Sequence, residues 1–188
     1  MTQPGTEFLD SLDDGVEEFA VRHRGREPLD SVMYAVSEAA NHSLLWHGIN
    51  LVDAISAGSD KQRRRLALRR TLILGVEQAL VNGPIKSLFK RDRPIETPDH
   101  PHELRSPLTS SFPSGHASAG FCAAYLLSKD LGAKPLWYGL AAVVSWSRVH
   151  VGLHHPSDVL GGVVVGSTLA WVADSAVPRA LAGNDRRP

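Results

Sequence analysis

The sequence predicts an all-α protein built as a helical bundle. Apolar residues recur at helical spacing in several long segments, and no segment shows the apolar–polar alternation of a β-strand. Glycine and proline punctuate these segments, as is typical of helix ends. The 188 residues suffice for one domain with a substantial core, and the sequence contains no internal repeat or low-complexity tract.

In chain order, an amphipathic segment precedes about five apolar helices. Residues 1–30 form the acidic amphipathic segment, residues 31–178 the helical domain and residues 179–188 a tail. The apolar helices are predicted over 31–57, 71–89, 114–130, 135–151 and 156–177. A kink is expected at Gly83-Pro84, because proline interrupts the helical hydrogen bonds. Basic residues 59–70 are interpreted as a loop, and so is the proline-rich stretch 90–112.

Composition excludes several classes of function. The formal net charge is zero, so no overall positive field favours nucleic acid as a partner. Cys122 is the single cysteine, which rules out an intramolecular disulfide and argues against a cysteine-based metal site. The first 30 residues lack the apolar stretch of a signal peptide.

Hydropathy alone leaves two kinds of bundle open. The longest apolar run, residues 159–173, is shorter than the roughly 20 residues that span a bilayer. A soluble bundle would bury its apolar helices in a core. A membrane bundle would instead place its polar groups at helix ends, where a functional site can form.

Three polar clusters mark the ends of the apolar helices. The first is KSLFKRDRP at 86–94, the second is PSGH at 113–116, and the third is SRVHVGLHHPSD at 147–158. Each has an ordinary explanation by itself, since bases pair with helix C-termini and a serine can cap a helix. A histidine four residues before an aspartate is often a surface pair.

Helix topology places the three clusters at the same end of the bundle. The helix 71–89 ends at the first cluster, the next helix begins at the second, and the third lies between the last two helices. Fixed cations, two histidines, a serine hydroxyl and a helix N-terminus therefore converge. This set of groups is suited to binding a phosphoryl group, because cations and backbone N–H groups neutralise its oxygens.

The three clusters together resemble the motifs of the type-2 phosphatidic acid phosphatase superfamily. That pattern is Lys-six residues-Arg-Pro (86–94), Pro-Ser-Gly-His (113–116) and Ser-Arg-five residues-His-three residues-Asp (147–158). The motifs are complete and in order. The superfamily includes membrane lipid phosphatases, bacterial acid phosphatases and vanadium haloperoxidases, and it is all-helical.

The resemblance implies a role for each matching residue. His154 corresponds to the nucleophile that becomes a phosphohistidine, Asp158 to its orienting carboxylate, and His116 to the general acid. The phosphoryl oxygens would be held by Lys86, Arg93, Ser114, Gly115 and Arg148. No metal or other cofactor is expected. At the variable positions within these motifs, His150 is a candidate for lining the pocket, and Lys90 and Arg91 are interpreted as loop surface or lipid-phosphate contacts.

Short loops favour the membrane branch of the superfamily, since its soluble members are larger and carry a signal or extra helices. We therefore expect an integral membrane phosphatase whose partners are the bilayer and a lipid phosphate. Bases at 59–70, at Lys129–Lys134 and in the tail (Arg179, Arg186 and Arg187) are expected in the cytoplasm, which places the site on the extracytoplasmic face.

The sequence leaves the substrate and two other functions open. Polyprenyl pyrophosphate, phosphatidic acid, phosphatidylglycerol phosphate and a polyprenyl-linked sugar phosphate all fit the motifs, and the context LRSPLTSSFPSGHASAGF resembles actinobacterial members that act on the last. The alternatives to a phosphatase are a vanadate-dependent haloperoxidase and a lipid-binding or interaction protein that has lost its activity.

Overall fold

The computed structural model describes residues 4–94 and 109–177, with side chains from residue 13 onward. The described part of the chain is helical and contains no β-strand, which confirms the predicted all-α class. Two short elements, the 3₁₀ turn Asn41–Ser43 and the π-helical turn Val81–Ile85, adjoin the α-helices. Within the described ranges there are seven α-helices: α1 (Pro4–His23), α2 (Leu29–Ala39), α3 (Leu44–Ser56), α4 (Lys61–Leu80), α5 (Gly115–Leu131), α6 (Lys134–His150) and α7 (Pro156–Ala176).

The prediction of one continuous helix over 31–57 is wrong. The chain breaks between α2 and α3, where His42 and Ser43 adopt left-handed backbone angles with φ of 51° and 60°. Left-handed angles cannot continue a right-handed helix, so α3 leaves in a new direction. Non-glycine residues adopt such angles where the surrounding structure holds them.

The prediction of a loop over 59–70 is also wrong, because these basic residues form the first half of α4. Asp60 caps the helix by accepting the Arg63 backbone N–H at 3.0 Å. Arg70 is buried and binds Asp130 at 2.9 Å, and it also pairs with Asp53. A neighbouring pair joins Arg69 to Asp174 at 3.0 Å. Buried partners from α3, α5 and α7 thus hold the bases in a helix.

The predicted kink at Gly83-Pro84 is confirmed. Gly83 has non-helical angles (φ −96°, ψ −106°) inside the π-helical turn that follows α4. Proline has no N–H to donate and its ring clashes with the preceding turn. The kink redirects the chain immediately before Lys86.

Close packing of α5 against α7 forms the centre of the bundle. A Cβ added to Gly166 would lie 2.0 Å from the Ser118 carbonyl oxygen, so only glycine allows the two helices to approach this closely. At their N-termini the helices are joined directly, because Ser114 N–H donates to the Asp158 carbonyl at 2.9 Å. The second and third motifs are therefore held side by side.

The outer surface of the bundle is apolar over much of its area. Among the described residues, one helix, α7, is long and apolar enough to cross a membrane; its most apolar 18-residue window has a mean hydropathy of 1.5 and is only 17% buried. Similar exposed side chains occur on α3 and α4. The exposed apolar residues on these three helices include Leu51, Val52, Ile55, Leu68, Leu72, Val76, Leu160, Val164, Trp171 and Val172.

Candidate active site

The three motifs meet at one cavity of about 630 Å³. It lies where α5 and α7 begin and where α6 and the π-helical turn after α4 end. Two predicted site residues, Ser114 and Asp158, lie in a second layer and are fully buried. The predicted site residues that line the cavity are Lys86, Arg93, Gly115, His116, Arg148 and His154.

Three cations surround the cavity. Lys86 and Arg148 are buried, and their charges act on one another and on Arg93. Arg93 is held by the backbone, because its Nη1 donates to the Leu153 carbonyl at 2.6 Å. Arg148 Nη1 donates to Ser37 Oγ, whereas its Nε has no hydrogen-bond partner among the described residues. Buried like charges of this kind favour a bound anion.

The N-terminus of α5 contributes the second motif. Ser114 caps the helix, and its Oγ accepts the Ala117 backbone N–H at 3.5 Å. A side chain at Gly115 would meet Asn82 Oδ1 at 2.9 Å, so glycine allows this turn to pack against Asn82 beside the cavity. His116 lies one position further, and its Nε2 is 3.2 Å from Asn41 Oδ1.

His154 faces the cations from the segment between α6 and α7. Its Nε2 lies 3.3 Å from Arg93 Nη1, and its Nδ1 lies 3.5 Å from Asp158 Oδ2. A backbone hydrogen bond fixes the Asp158 carboxylate, since Oδ2 also accepts the His155 backbone N–H at 2.9 Å. One ring nitrogen is therefore directed to a carboxylate and the other to the cation-lined cavity.

Arg91 does not behave as the loop-surface residue that its sequence context suggested. Its Nη1 binds Asp158 Oδ1 at 2.7 Å, and its Nη2 binds Asp13 of α1 at 2.8 Å. Partial burial lowers the pKa of Arg91, but the Asp13 hydrogen bond and the Asp158 charge outweigh this effect and the pKa is raised. Nothing in the local sequence indicates either partner, because Asp13 lies 78 positions away.

Two further outcomes concern residues without an assigned role in the motifs. His150 does not line the cavity; it is buried, and its Nε2 binds Asp30 Oδ1 at 2.8 Å. The rest of the cavity wall is mostly polar, and sequence reasoning did not identify it. Its polar residues are Glu38, Asn41, His42, Ser43, Gln78, Asn82 and Thr109.

The described residues contain no group of three His, Cys, Asp or Glu side chains that could hold a metal ion. His100 and His102 lie outside the described part of the chain, as do the tail bases Arg179, Arg186 and Arg187.

The comparison with protein families identifies the class of protein. The model described as PAP2 superfamily matches residues 67–181, a range that contains all three motifs. The chain therefore belongs to the PAP2 superfamily, and the prediction of a phosphatase is confirmed.

The similar proteins include enzymes named as lipid phosphatases. The chain is 35% identical over 143 residues to decaprenylphosphoryl-5-phosphoribose phosphatase from Mycobacterium tuberculosis, covering 74% of this chain and 76% of the relative. It is 32% identical over 181 residues to phosphatidylglycerophosphatase B from Bacillus subtilis, covering 89% and 84%. A crystal structure of a transmembrane PAP2-type phosphatidylglycerolphosphate phosphatase from Bacillus subtilis is similar, with a TM-score of 0.69 and 29% identity over 91% of this chain and 88% of that one.

Proposed function

We propose that the protein is a membrane lipid phosphatase that hydrolyses the phosphomonoester or pyrophosphate end of a lipid through a phosphohistidine. The observation that carries this proposal is the arrangement around the cavity. His154 Nε2 and His116 face the same space, which Lys86, Arg93 and Arg148 surround with buried positive charge.

In the first step, the His154 Nε2 lone pair attacks phosphorus and the bond to the lipid oxygen breaks. Asp158 accepts a hydrogen bond from Nδ1–H, which directs the Nε2 lone pair to the substrate and stabilises the cationic phosphohistidine. His116 gives its proton to the departing oxygen, so that a neutral alcohol leaves. The three cations and the Gly115 N–H offset the charge on the phosphoryl oxygens.

In the second step, His116 accepts a proton from water as the water oxygen attacks the phosphohistidine. The P–N bond breaks, inorganic phosphate leaves, and both histidines return to their initial protonation states. We propose that Ser114 acts indirectly. Its Oγ caps α5 and so fixes the turn that carries Gly115, and its backbone N–H donates to the Asp158 carbonyl.

We also propose that the bundle crosses the membrane with about five helices. The exposed apolar side chains of α3, α4 and α7 support this arrangement, because a soluble protein rarely exposes so much apolar area. The paired bases Arg69 and Arg70 lie at the end opposite the cavity, where the positive-inside tendency places the cytoplasm. The site then faces the extracytoplasmic side. Residues 31–178 form the catalytic domain, with 1–30 as a surface segment and 179–188 as a tail.

For the headgroup, the polar wall of the cavity supports a sugar phosphate. Glu38, Asn41 and Gln78 line the cavity without adding positive charge, and acidic and amide side chains are suited to sugar hydroxyls. A second phosphate would instead be matched by further cations. We therefore propose a polyprenyl-phosphate-linked sugar phosphate as the preferred substrate.

The test is phosphate release by purified protein in detergent from three lipids: a polyprenyl-phosphate-linked pentose phosphate, a polyprenyl diphosphate and phosphatidic acid. Glu38→Ala should lower kcat/KM for the pentose lipid by about 10- to 150-fold, since a hydrogen bond to a charged group contributes about 1.5–3 kcal/mol. Activity on phosphatidic acid should not fall. Glu18→Gln, on the exposed face of α1, is the control. Preference for phosphatidic acid in the unmodified protein would refute the sugar assignment.

A further inference from the structure

Arg91 connects the N-terminal helix to the carboxylate behind His154. We infer that Asp13 of α1 positions His154 through Arg91 and Asp158, so that docking of α1 completes the active site. The inference rests on the proposed role of His154 as nucleophile. It assigns a function to the N-terminal segment and makes Arg91 a positioning residue.

Two charged hydrogen bonds through Arg91 and one ion-pair contact from Asp158 connect Asp13 to His154. Arg91 uses separate nitrogens for its two acids, with Nη2 2.8 Å from Asp13 Oδ2 and Nη1 2.7 Å from Asp158 Oδ1. Asp158 continues the chain through Oδ2, which lies 3.5 Å from His154 Nδ1. Asp13 and Asp158 are almost completely buried. A planar guanidinium is suited to hold two carboxylates at a fixed angle.

Arg91 is needed because the two acids it joins would otherwise repel each other. Asp13 also accepts the Ser157 backbone N–H at 2.7 Å, so its carboxylate is held at the first turn of α7, beside Asp158. Two buried carboxylates at this distance require a cation between them. Conversely, Arg91 divides its hydrogen bonds between Asp13 and Asp158. Asp158 is therefore not paired with Arg91 alone and can also interact with His154.

The remaining contacts of α1 point to the same part of the protein. Glu17 binds the His155 ring, and Arg24, in the loop after α1, donates to the His150 carbonyl at 2.8 Å. These contacts attach α1 and the loop after it to residues that precede and follow His154 in the sequence. Glu17 provides a matched comparison, since it attaches the same helix to the residue next to His154 without contacting Arg91.

The experiment compares Arg91→Gln, Asp13→Asn and the double variant in the full-length protein. Arg91→Gln should lower kcat by about 10- to 100-fold, because misplacing a reacting group by about 1 Å costs on the order of 100-fold. KM should stay within about twofold, since Arg91 does not line the cavity. The double variant should be no slower than Arg91→Gln alone, because both changes break one chain. Arg91→Lys should recover part of the loss by restoring a single charge.

Glu17→Gln is the control for simple docking of α1 and should leave kcat within about twofold. If Glu17→Gln slows turnover as much as Asp13→Asn, α1 acts only as a structural support and the inference is wrong. Independent, multiplying losses for Asp13→Asn and Arg91→Gln would also overturn it.

A binding measurement separates this inference from the proposed function. With His154 as the nucleophile, vanadate should bond to its Nε2 when the ring is aligned, so the effect of vanadate on the thermal unfolding midpoint reports alignment without turnover. We expect a smaller vanadate shift in Arg91→Gln than in the unmodified protein and an unchanged shift in Glu17→Gln. If the unmodified protein releases no phosphate from any lipid, the proposed function fails; equal vanadate shifts in the unmodified protein and Arg91→Gln would overturn the inference.

Discussion

Replacing Asp158 with asparagine removes one charge and changes which hydrogen bonds the side chain can accept. Both Asp158 oxygens face donors: Oδ1 accepts from Arg91, and Oδ2 accepts from the His155 N–H and faces His154. An asparagine has only one acceptor oxygen, so either orientation places its NH₂ group against a donor. If the NH₂ faces His154, the ring nitrogens exchange roles and Nε2 carries the proton.

The size of the effect follows from this geometry. A histidine held in the wrong tautomer by the same substitution in a catalytic triad loses about 10⁴ in kcat. We expect a loss on the order of 10³- to 10⁴-fold here. The buried unsatisfied donor should also lower the free energy of unfolding by about 1–3 kcal/mol.

The assay is phosphate release under saturating lipid, with thermal unfolding measured on the same preparations. The control is Asp130→Asn, which weakens a buried ion pair with Arg70 at the opposite end of the bundle. That variant should lose stability while its turnover stays within about threefold. Turnover of Asp158→Asn within 10-fold of the unmodified protein would show that the carboxylate does not orient His154.

Other predictions test the two histidines, the metal-free chemistry and the helix packing. His154→Ala should be inactive on every substrate. His116→Ala should keep more activity on p-nitrophenyl phosphate than on a lipid phosphate, because a good leaving group needs little protonation. Equal losses in kcat/KM on the two substrates would exclude His116 as the acid. Phosphate release should persist in excess EDTA and be inhibited by vanadate, and restoration by magnesium after EDTA would contradict the mechanism. Gly166→Ala should lower the thermal unfolding midpoint sharply, because the added Cβ would lie 2.0 Å from the Ser118 carbonyl oxygen. In the control Gly139→Ala, the added Cβ has no atom within 4 Å, so the midpoint should stay unchanged or rise.

The helices and the motif residues were accessible from sequence because both depend on local patterns. Apolar periodicity located the helices that became α5, α6 and α7 to within about two residues, and the spacing of Lys86, Arg93, His116 and His154 placed them at helix ends. Antiparallel neighbours then require these ends to meet. The polar cavity wall was missed because Glu38 and Asn41 belong to no motif.

The errors arose where distant partners determine local structure. Six bases within ten residues favoured a loop, yet Arg69 and Arg70 are buried in a helix by Asp174, Asp53 and Asp130. The break before α3 gave no signal, since Asn, His and Ser are not strong helix breakers. Arg91 was interpreted from its basic neighbours, although its environment is set by Asp13 and Asp158.

The residues around the break between α2 and α3 line a different part of the cavity from the motif residues. The cations and histidines proposed to act on phosphorus come from α5, α6 and the segments that precede α7 and follow the π-helical turn, whereas Glu38 comes from the end of α2 and Asn41 and His42 from the 3₁₀ turn after it. Substitutions of Glu38 or His42 would change the headgroup side of the cavity, whereas Asn41 also contacts His116 Nε2 at 3.2 Å. Lipid preference can therefore diverge among relatives while the hydrolytic chemistry remains the same.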